Sequence, residues 1–374
     1  ADTATLARYV DTEVALALAE GRLGLIPADA AQAIAAGAHG VQLDMERLQK
    51  ETHNVGYPIL PLVHQVAEGL GAAGKYLHWG ATTQDIMDTA LVLQIRQGLE
   101  LLERDLRAVS VQLRRLSREY RDTPMAGRTH LQHALPTTFG LKCAIWLGMV
   151  ERNLERLHEL RPRVLVGQFA GAGGTLASLG DRGLDVQAAM MQELQLGVPD
   201  TTWHTARDGL AETVQWLGLV TMSLGKMALD VSLMMANEFS EVFEPFVQGR
   251  GASSTMPQKR NPISCEVMVG AAKTVRHLAG LALDGAVQDF ERATGPWQAE
   301  WVAIPEAFLH TAGALSQAVF MLSGLEVDTV RMKQNLDSTG GLIVAEAVMM
   351  GLAPILGRNE AHDVVYAACR TALN

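Results

Sequence analysis

The sequence predicts an all-α fold, an elongated central bundle of long helices with smaller helical domains at either end. Three observations carry this. Apolar residues recur at spacings of three and four over long stretches, the pattern of an amphipathic helix. No alternating pattern of comparable length reads as a strand. Ala, Leu, Gly and Met abound while only 5% of residues are aromatic, a mixture that suits packed helices better than β-branched strands.

Residues 1–75 form an N-terminal domain of short helices. Leu25-Ile26-Pro27-Ala28-Asp29 is a turn that starts a helix, with Pro27 near its first position. Pro58 and Pro61 break the chain after Tyr57. Residues 76–325 form the central domain. Its first stripe runs Leu99, Leu102, Leu106, Val109, Leu113 and Leu116. A second runs Phe139, Cys143, Trp146, Val150, Leu154 and Leu157, and a third runs Val214, Leu217, Thr221, Leu224, Ala228, Val231 and Met235. A fourth follows at Val267, Ala271, Val275, Leu278 and Leu281. The third has apolar flanks at Trp216, Leu219 and Val220. A helix apolar on most sides is buried on most sides, so this one is expected to be shared between subunits. Residues 326–374 are read as part of a C-terminal helical domain.

With 374 residues and a formal net charge of -10, the chain can bury a large core and shows no basic stripe for nucleic acid. Cys143, Cys265 and Cys369 are isolated, odd in number and without CxxC spacing, as in a reducing compartment. No uncharged apolar run is long enough for a bilayer and no signal peptide is visible, so the expectation is a cytoplasmic protein that does not engage a membrane.

Three polar or Gly-rich stretches, His78–Asp88, Gly127–Thr138 and Gly249–Pro262, fall between the long helices, where chemistry usually sits. The last reads Gly251-Ala252-Ser253-Ser254-Thr255-Met256-Pro257-Gln258-Lys259-Arg260-Asn261-Pro262. Its glycines and serines predict mobility. Asn261-Pro262 reads as an N-cap and first helical position, whose free N–H groups, with Lys259, suit a carboxylate or phosphate. A flexible linker before a capped helix is the bland alternative. No Gly-x-Ser-x-Gly elbow points to an acyl-enzyme. Gly171-Ala172-Gly173-Gly174-Thr175 lacks the strand and acidic residue of a dinucleotide site. His130 and His133 have no carboxylate nearby to complete a metal site. No metal or cofactor is implied.

The Gly251–Pro262 stretch closely resembles the signature Gly-Ser-Ser-x-Met-Pro-x-Lys-x-Asn-Pro of the fumarase/aspartase superfamily. His78-Trp79-Gly80-Ala81-Thr82-Thr83-Gln84-Asp85 and Gly127-Arg128-Thr129-His130-Leu131-Gln132 resemble its other two conserved regions in order and spacing. Ala252 and Gln258 depart from the commonest signature. The resemblance implies a homotetramer with active sites built from the loops of three subunits. It makes Ser253 the general base and His130 the general acid, backed by Glu266, with Thr129 beside it. Lys259 and Asn261, with Thr82, Thr83 and Gln84 opposite, would hold substrate carboxylates. It adds His53, Arg207 and Arg292 as substrate-binding residues.

Within the superfamily, Gln168–Gly171, Trp203–Asp208 and Glu291–Glu300 have the flavour of bacterial 3-carboxy-cis,cis-muconate cycloisomerases. Those enzymes tend to lack the His and Glu found here at 130 and 266. Lactonisation needs no strong acid for a leaving amine, so the His–Glu pair points to elimination of a basic group. Adenylosuccinate lyases bind a phosphate after their Glu-Arg pair, where this chain has Trp297 and Trp301. The sequence therefore predicts a β-eliminating lyase of a small carboxylate, cleaving C–N and releasing fumarate or a similar acid. A cycloisomerase is the alternative. A crystallin-like structural relative is disfavoured, because it would have lost Ser253 or His130.

Overall fold

The computed structural model describes residues 2–373 and is all-α, with thirteen α-helices among them. The first four are α1 (Asp2–Leu23), α2 (Ala28–Gly37), α3 (Met45–Val55) and α4 (Ile59–Leu70). The long α5 (Thr83–Glu119) follows, then a hairpin of β1 (Pro124–Thr129) and β2 (Gln132–Thr138). Next come α6 (Phe139–Val164), α7 (Gly183–Leu194), α8 (Asp208–Met234), β3 (Val242–Phe243), α9 (Ile263–Ala286) and α10 (Pro296–Ser323). The chain continues through β4 (Glu326–Val327), α11 (Thr329–Asp337), α12 (Ala345–Leu356) and α13 (Arg358–Leu373).

Contacts divide the chain into two compact units. The first takes residues up to Leu101, Arg156–Leu217 and His277–Phe308; the second takes Leu102–Glu155, Gly218–Arg276 and the residues from Leu309. The boundaries fall inside α5, α6, α8, α9 and α10, so each unit contains part of each of these five helices.

In the second unit these helix parts close into a bundle. Ser110 of α5 donates to Glu151 of α6 at 2.5 Å, and Asn153 of α6 donates to Ser223 of α8 at 3.0 Å. Gly225 of α8 lies so close to α9 that an added Cβ would meet the Ala272 Cβ at 2.8 Å. Cys265 of α9 contacts the Met321 sulfur of α10 at 3.6 Å, and Arg115 of α5 reaches the Leu322 carbonyl.

The first stripe is buried throughout, and so is the third. By length and composition alone α8 could cross a bilayer, but its stripe is packed as in a bundle's core helix. The fourth stripe is out of phase. Met268, Ala271, Val275, Ala279 and Ala282 are buried, whereas Val267 is 43% exposed. Small residues take the inner face because α8 approaches closely there, and the larger ones turn outward.

The stretch Gly127–Thr138, expected as a loop, is largely a β-hairpin. His130 and Leu131 carry φ of 51° and 63° at its tip, between the paired Thr129 and Gln132. Two successive positive φ values make the twist-compatible two-residue turn of a tight hairpin.

In the first unit α1 packs on α2 and α7. It carries two buried acids, Glu13 and Glu20, and neither Glu20 oxygen has a hydrogen-bond partner among the described residues. Burial, and then the charge of Glu13, push the Glu20 carboxyl up from 4.5 to about 9. The folded chain therefore keeps a proton that the unfolded chain releases above its ordinary pKa. Stability from this group is intact at low pH and falls as pH rises from about 4.5 to about 9, by roughly 1.4 kcal/mol per pH unit. Glu20→Gln should match the parent in thermal denaturation near the acid end of that window and gain on it steadily toward the alkaline end. Parallel melting curves across the window would show that Glu20 is ionised in the fold.

Candidate active site

In the first unit the region His78–Asp85 is organised by Asp85, which is fully buried. Its Oδ2 accepts the Thr82 and Gly171 N–H groups, both at 3.0 Å. Its Oδ1 accepts the Ala170 N–H at 3.0 Å and lies 2.7 Å from His204 Nε2. One side chain thus ties the turn into α5 to the Gly-rich loop at 170–171 and to His204. Thr82 and Thr83 remain partly exposed, and no hydrogen bond among the described residues uses their hydroxyls. Gln84 is 1% exposed, donates to the His204 carbonyl at 2.8 Å, and accepts from Arg292 Nη1 at 2.7 Å. Arg292 also reaches the Ala172 carbonyl at 2.6 Å. These bonds bring Gln84 and Arg292 together and leave Gln84 inside the wall of the region. His53 is exposed near the end of α3.

Arg207 corrects the expectation of a substrate-binding group. Its side chain is fully buried. Nη1 and Nη2 hold both oxygens of Asp88 at 2.6 and 2.9 Å, while Nε and Nη2 hold those of Glu300 at 2.9 and 2.6 Å. Nη1 also reaches the Trp203 carbonyl, and the guanidinium carbon stands 5.0 Å from the Trp203 ring centre. All five N–H donors are committed, so Arg207 pins α5, α8 and α10 together.

After Arg292, Trp297 stacks on Tyr57 with ring centres 5.7 Å apart, and Trp301 meets Trp297 edge-on at 5.3 Å. This is an apolar cluster, with no charge of its own to hold a phosphate.

In the second unit Ser253 lies in a loop pinched at its base. Ala252 bridges Arg260, and the Gly251 carbonyl accepts both the backbone N–H and the amide Nδ2 of Asn261, at 3.1 and 2.9 Å. Gly251 has φ 68°, and a Cβ there would sit 2.7 Å from the Asn261 carbonyl oxygen, so glycine is required. Arg250 anchors one flank on Gln317 and Ser264, and Arg260 anchors the other on Glu326. Within the loop Ser253 Oγ accepts the Met256 N–H at 3.0 Å and the Thr255 N–H at 3.3 Å. The exposed Lys259 ammonium has no partner among the described residues.

The start of α9 differs from the sequence reading. Helix begins at Ile263, and the buried Glu244 carboxylate accepts the Ser264 and Cys265 N–H groups at 3.0 and 2.9 Å. Ile263 N bonds the Asn261 carbonyl and Glu266 N the Pro262 carbonyl. The helix end is capped from within and offers no free N–H to an outside anion. Asn261 clamps the loop instead of capping the helix. Glu244 was missed because it lies twenty residues before the groups it caps.

Thr129 and His130 are exposed at the hairpin tip. Their strand is held by Arg128, whose guanidinium grips both oxygens of the buried Glu241 at 3.0 and 2.7 Å. Burial and then Arg128 lower the pKa of the neighbouring His133. Glu266 is exposed on the first turn of α9. Within this single chain no hydrogen bond or ion pair among the described residues joins His130 to Glu266.

Known proteins resemble the chain along its length. A family model described as lyase matches residues 3–276. A crystal structure of a fumarate lyase from Mesorhizobium sp. BNC1 superposes with a TM-score of 0.93 at 58% identity, over 99% of this chain and 84% of that one. A 3-carboxy-cis,cis-muconate cycloisomerase of Pseudomonas aeruginosa is 48% identical over 100% of this chain and 82% of its own. An N-acetyl-S-(2-succino)cysteine lyase of Dickeya dadantii is 40% identical over 96% of this chain and 80% of its own.

Arg207→Met should lose about 3–5 kcal/mol of stability in urea denaturation, because it strands two buried carboxylates. A variant as stable as the parent, and impaired only in substrate affinity, would return Arg207 to the substrate.

Proposed function

The chain belongs to the lyase family, within the fumarase/aspartase superfamily, and on that premise we propose that it removes a proton beside a carboxylate of a small succinyl-type substrate and expels the group on the neighbouring carbon, releasing fumarate or a similar acid. The bond broken is C–N or C–S. The similarity to an N-acetyl-S-(2-succino)cysteine lyase supports the sulfur case, and the His130–Glu266 pattern read from the sequence supports the nitrogen one. Lactonisation as in the cycloisomerases is the second reading, favoured by a relative at 48% identity.

The observation that carries the elimination chemistry is the pair of N–H groups on Ser253 Oγ. A serine is a poor base at its ordinary pKa. Two backbone donors aimed at the oxygen stabilise its alkoxide without any reorganisation during the reaction. Proton removal then builds an aci-carboxylate dianion. Lys259 supplies a full positive charge for it, Thr82 and Thr83 supply hydroxyl donors, and Arg292 orients Gln84. Asn261 acts by fixing the loop that carries Ser253 and Lys259. Closure of that loop over substrate would exclude water. His130, with Thr129 beside it and Glu266 as its partner, delivers a proton to the leaving atom. His53 is a further substrate contact.

These groups meet in a homotetramer, whose sites combine loops from three subunits. Two features support assembly. Leu219, Met222, Leu229 and Leu233 leave an apolar face of α8 39–53% exposed. His130 and Lys259 have no polar side-chain partner within the described chain. A cytoplasmic enzyme fits the reading of the cysteines.

Incubation with 2-succinyl amines, 2-succinyl thioethers and 3-carboxy-cis,cis-muconate, followed in the ultraviolet, decides between the readings. Ser253→Ala should lose several orders of magnitude in turnover while keeping its fold. Turnover within about tenfold of the parent, or about 1.4 kcal/mol of barrier, would remove Ser253 as the base. His130→Asn and Glu266→Gln should each slow elimination, and the double variant should be little worse than His130→Asn, because paired residues act as one unit. A near-silent His130→Asn would give preference to the cycloisomerase.

A further inference from the structure

We propose that Glu13 is a positioning residue of this enzyme, holding His78 as a cation whose second ring nitrogen binds a substrate carboxylate beside Thr82 and Thr83; the inference rests on the lyase reading above. His78 opens the first conserved region, yet the mechanism so far gives it no task.

The geometry is that of an oriented imidazolium. His78 Nδ1 lies 2.6 Å from Glu13 Oε1. A carboxylate can only accept, so Nδ1–H donates. The Glu13 side chain is 3% exposed and that of His78 is 23% exposed, and the unbonded Nε2 of His78 is not a buried atom. No hydrogen bond among the described residues uses Nε2. In the charged ring that nitrogen is a free donor at a partly open surface.

His78 also has φ 60°, a left-handed conformation that costs a residue with a Cβ about 1–2 kcal/mol. The Glu13 bond holds it there. At the other end of the same stretch Asp85 fixes the Thr82 N–H. The imidazole and the two threonine hydroxyls are therefore carried on one turn fixed at both ends.

The groups around the ring favour its charge. Burial works against the imidazolium, but Glu13 on α1, through its charge and hydrogen bond, and Asp85 on α5, through its charge, raise its pKa above the ordinary value. Glu20, next to Glu13 in the electrostatics of α1, holds its proton up to about pH 9 and adds no competing charge at neutral pH. Glu13 thus makes one ion pair with His78, and its other oxygen has no partner among the described residues.

Fumarate is the probe, titrated calorimetrically into the intact enzyme from slightly acid to slightly alkaline pH. Glu13→Gln should bind fumarate about tenfold more weakly at neutral pH, roughly 1.4 kcal/mol. It should recover most of that affinity at acid pH, where the imidazole is protonated without help. His78→Asn should bind weakly at every pH, and the double variant should bind no more weakly than His78→Asn. Parental affinity in Glu13→Gln, or a loss of equal size at every pH, overturns the proposal. Should Glu13→Gln fail to fold, His78→Asn decides alone, and unchanged fumarate affinity in it overturns the proposal. An unaltered enzyme that binds no fumarate sinks the lyase reading itself. One that binds fumarate while both variants bind it equally well sinks only the Glu13–His78 assignment.

Discussion

The loops at 78–85 and 170–171 in the first unit depend on one buried carboxylate. Asp85 receives three backbone N–H groups and one imidazole nitrogen, from segments up to 119 residues away along the chain. An isolated carboxylate in an apolar interior is costly, and donors on both of its oxygens offset that cost. The same bonds give the loop at 170–171, which has no regular secondary structure, a fixed place beside the turn into α5. Thr82, Gln84 and Arg292 inherit their positions from this arrangement. Removing the acceptor would leave buried N–H groups unpaired at three points at once.

Buried acids serve the same purpose elsewhere. Asp88 and Glu300 divide Arg207 between α5 and α10, Glu241 grips Arg128 near the tip of the hairpin, and Glu244 caps α9. Each joins segments far apart in sequence. Each also consumes a cation or a set of N–H donors that sequence alone would offer to a substrate. Lys259, His53 and His130 are exposed, and in the described chain no polar partner engages their side chains. Buried acids such as Asp85, Asp88, Glu241 and Glu244 therefore hold the scaffold, while Lys259 and His130 face outward.

This division explains what could be read from the sequence. The long helices were legible because burial on one face imposes a 3.6-residue period, and Leu99 to Leu116 kept it without a fault. The inner face of α10 escaped notice because much of it is alanine, with Ala303, Ala307, Ala314 and Ala318 fully buried. Such small residues give little contrast. The hairpin was hidden for another reason. A two-residue turn usually announces itself with Asn or Gly, but here His130 and Leu131 adopt the positive φ values. The motif residues Ser253 and His130 were visible as types in a pattern. The partners that decide whether a motif residue is free, such as Asp88 for Arg207, lie at separations no local pattern encodes.

The cap on α9 bears on how such a site can stabilise charge. A helix N-terminus with open N–H groups carries about half a positive charge, and a dianion would benefit from it. Here Glu244 already lies on those groups. Its full negative charge more than cancels the helix end. An anionic substrate near this terminus would be repelled unless cations nearby outweighed the carboxylate. Lys259 supplies one such charge in the same loop. The N–H pair on Ser253 supplies no net charge, but it directs its dipoles at the oxygen proposed as the base. Stabilisation near this terminus therefore has to come from groups carried on the serine loop, not from the helix behind it. That is a reason for the loop to be pinned so firmly at its base, at Gly251, Asn261 and Arg260, while Ser253 and Lys259 sit beyond the pinch.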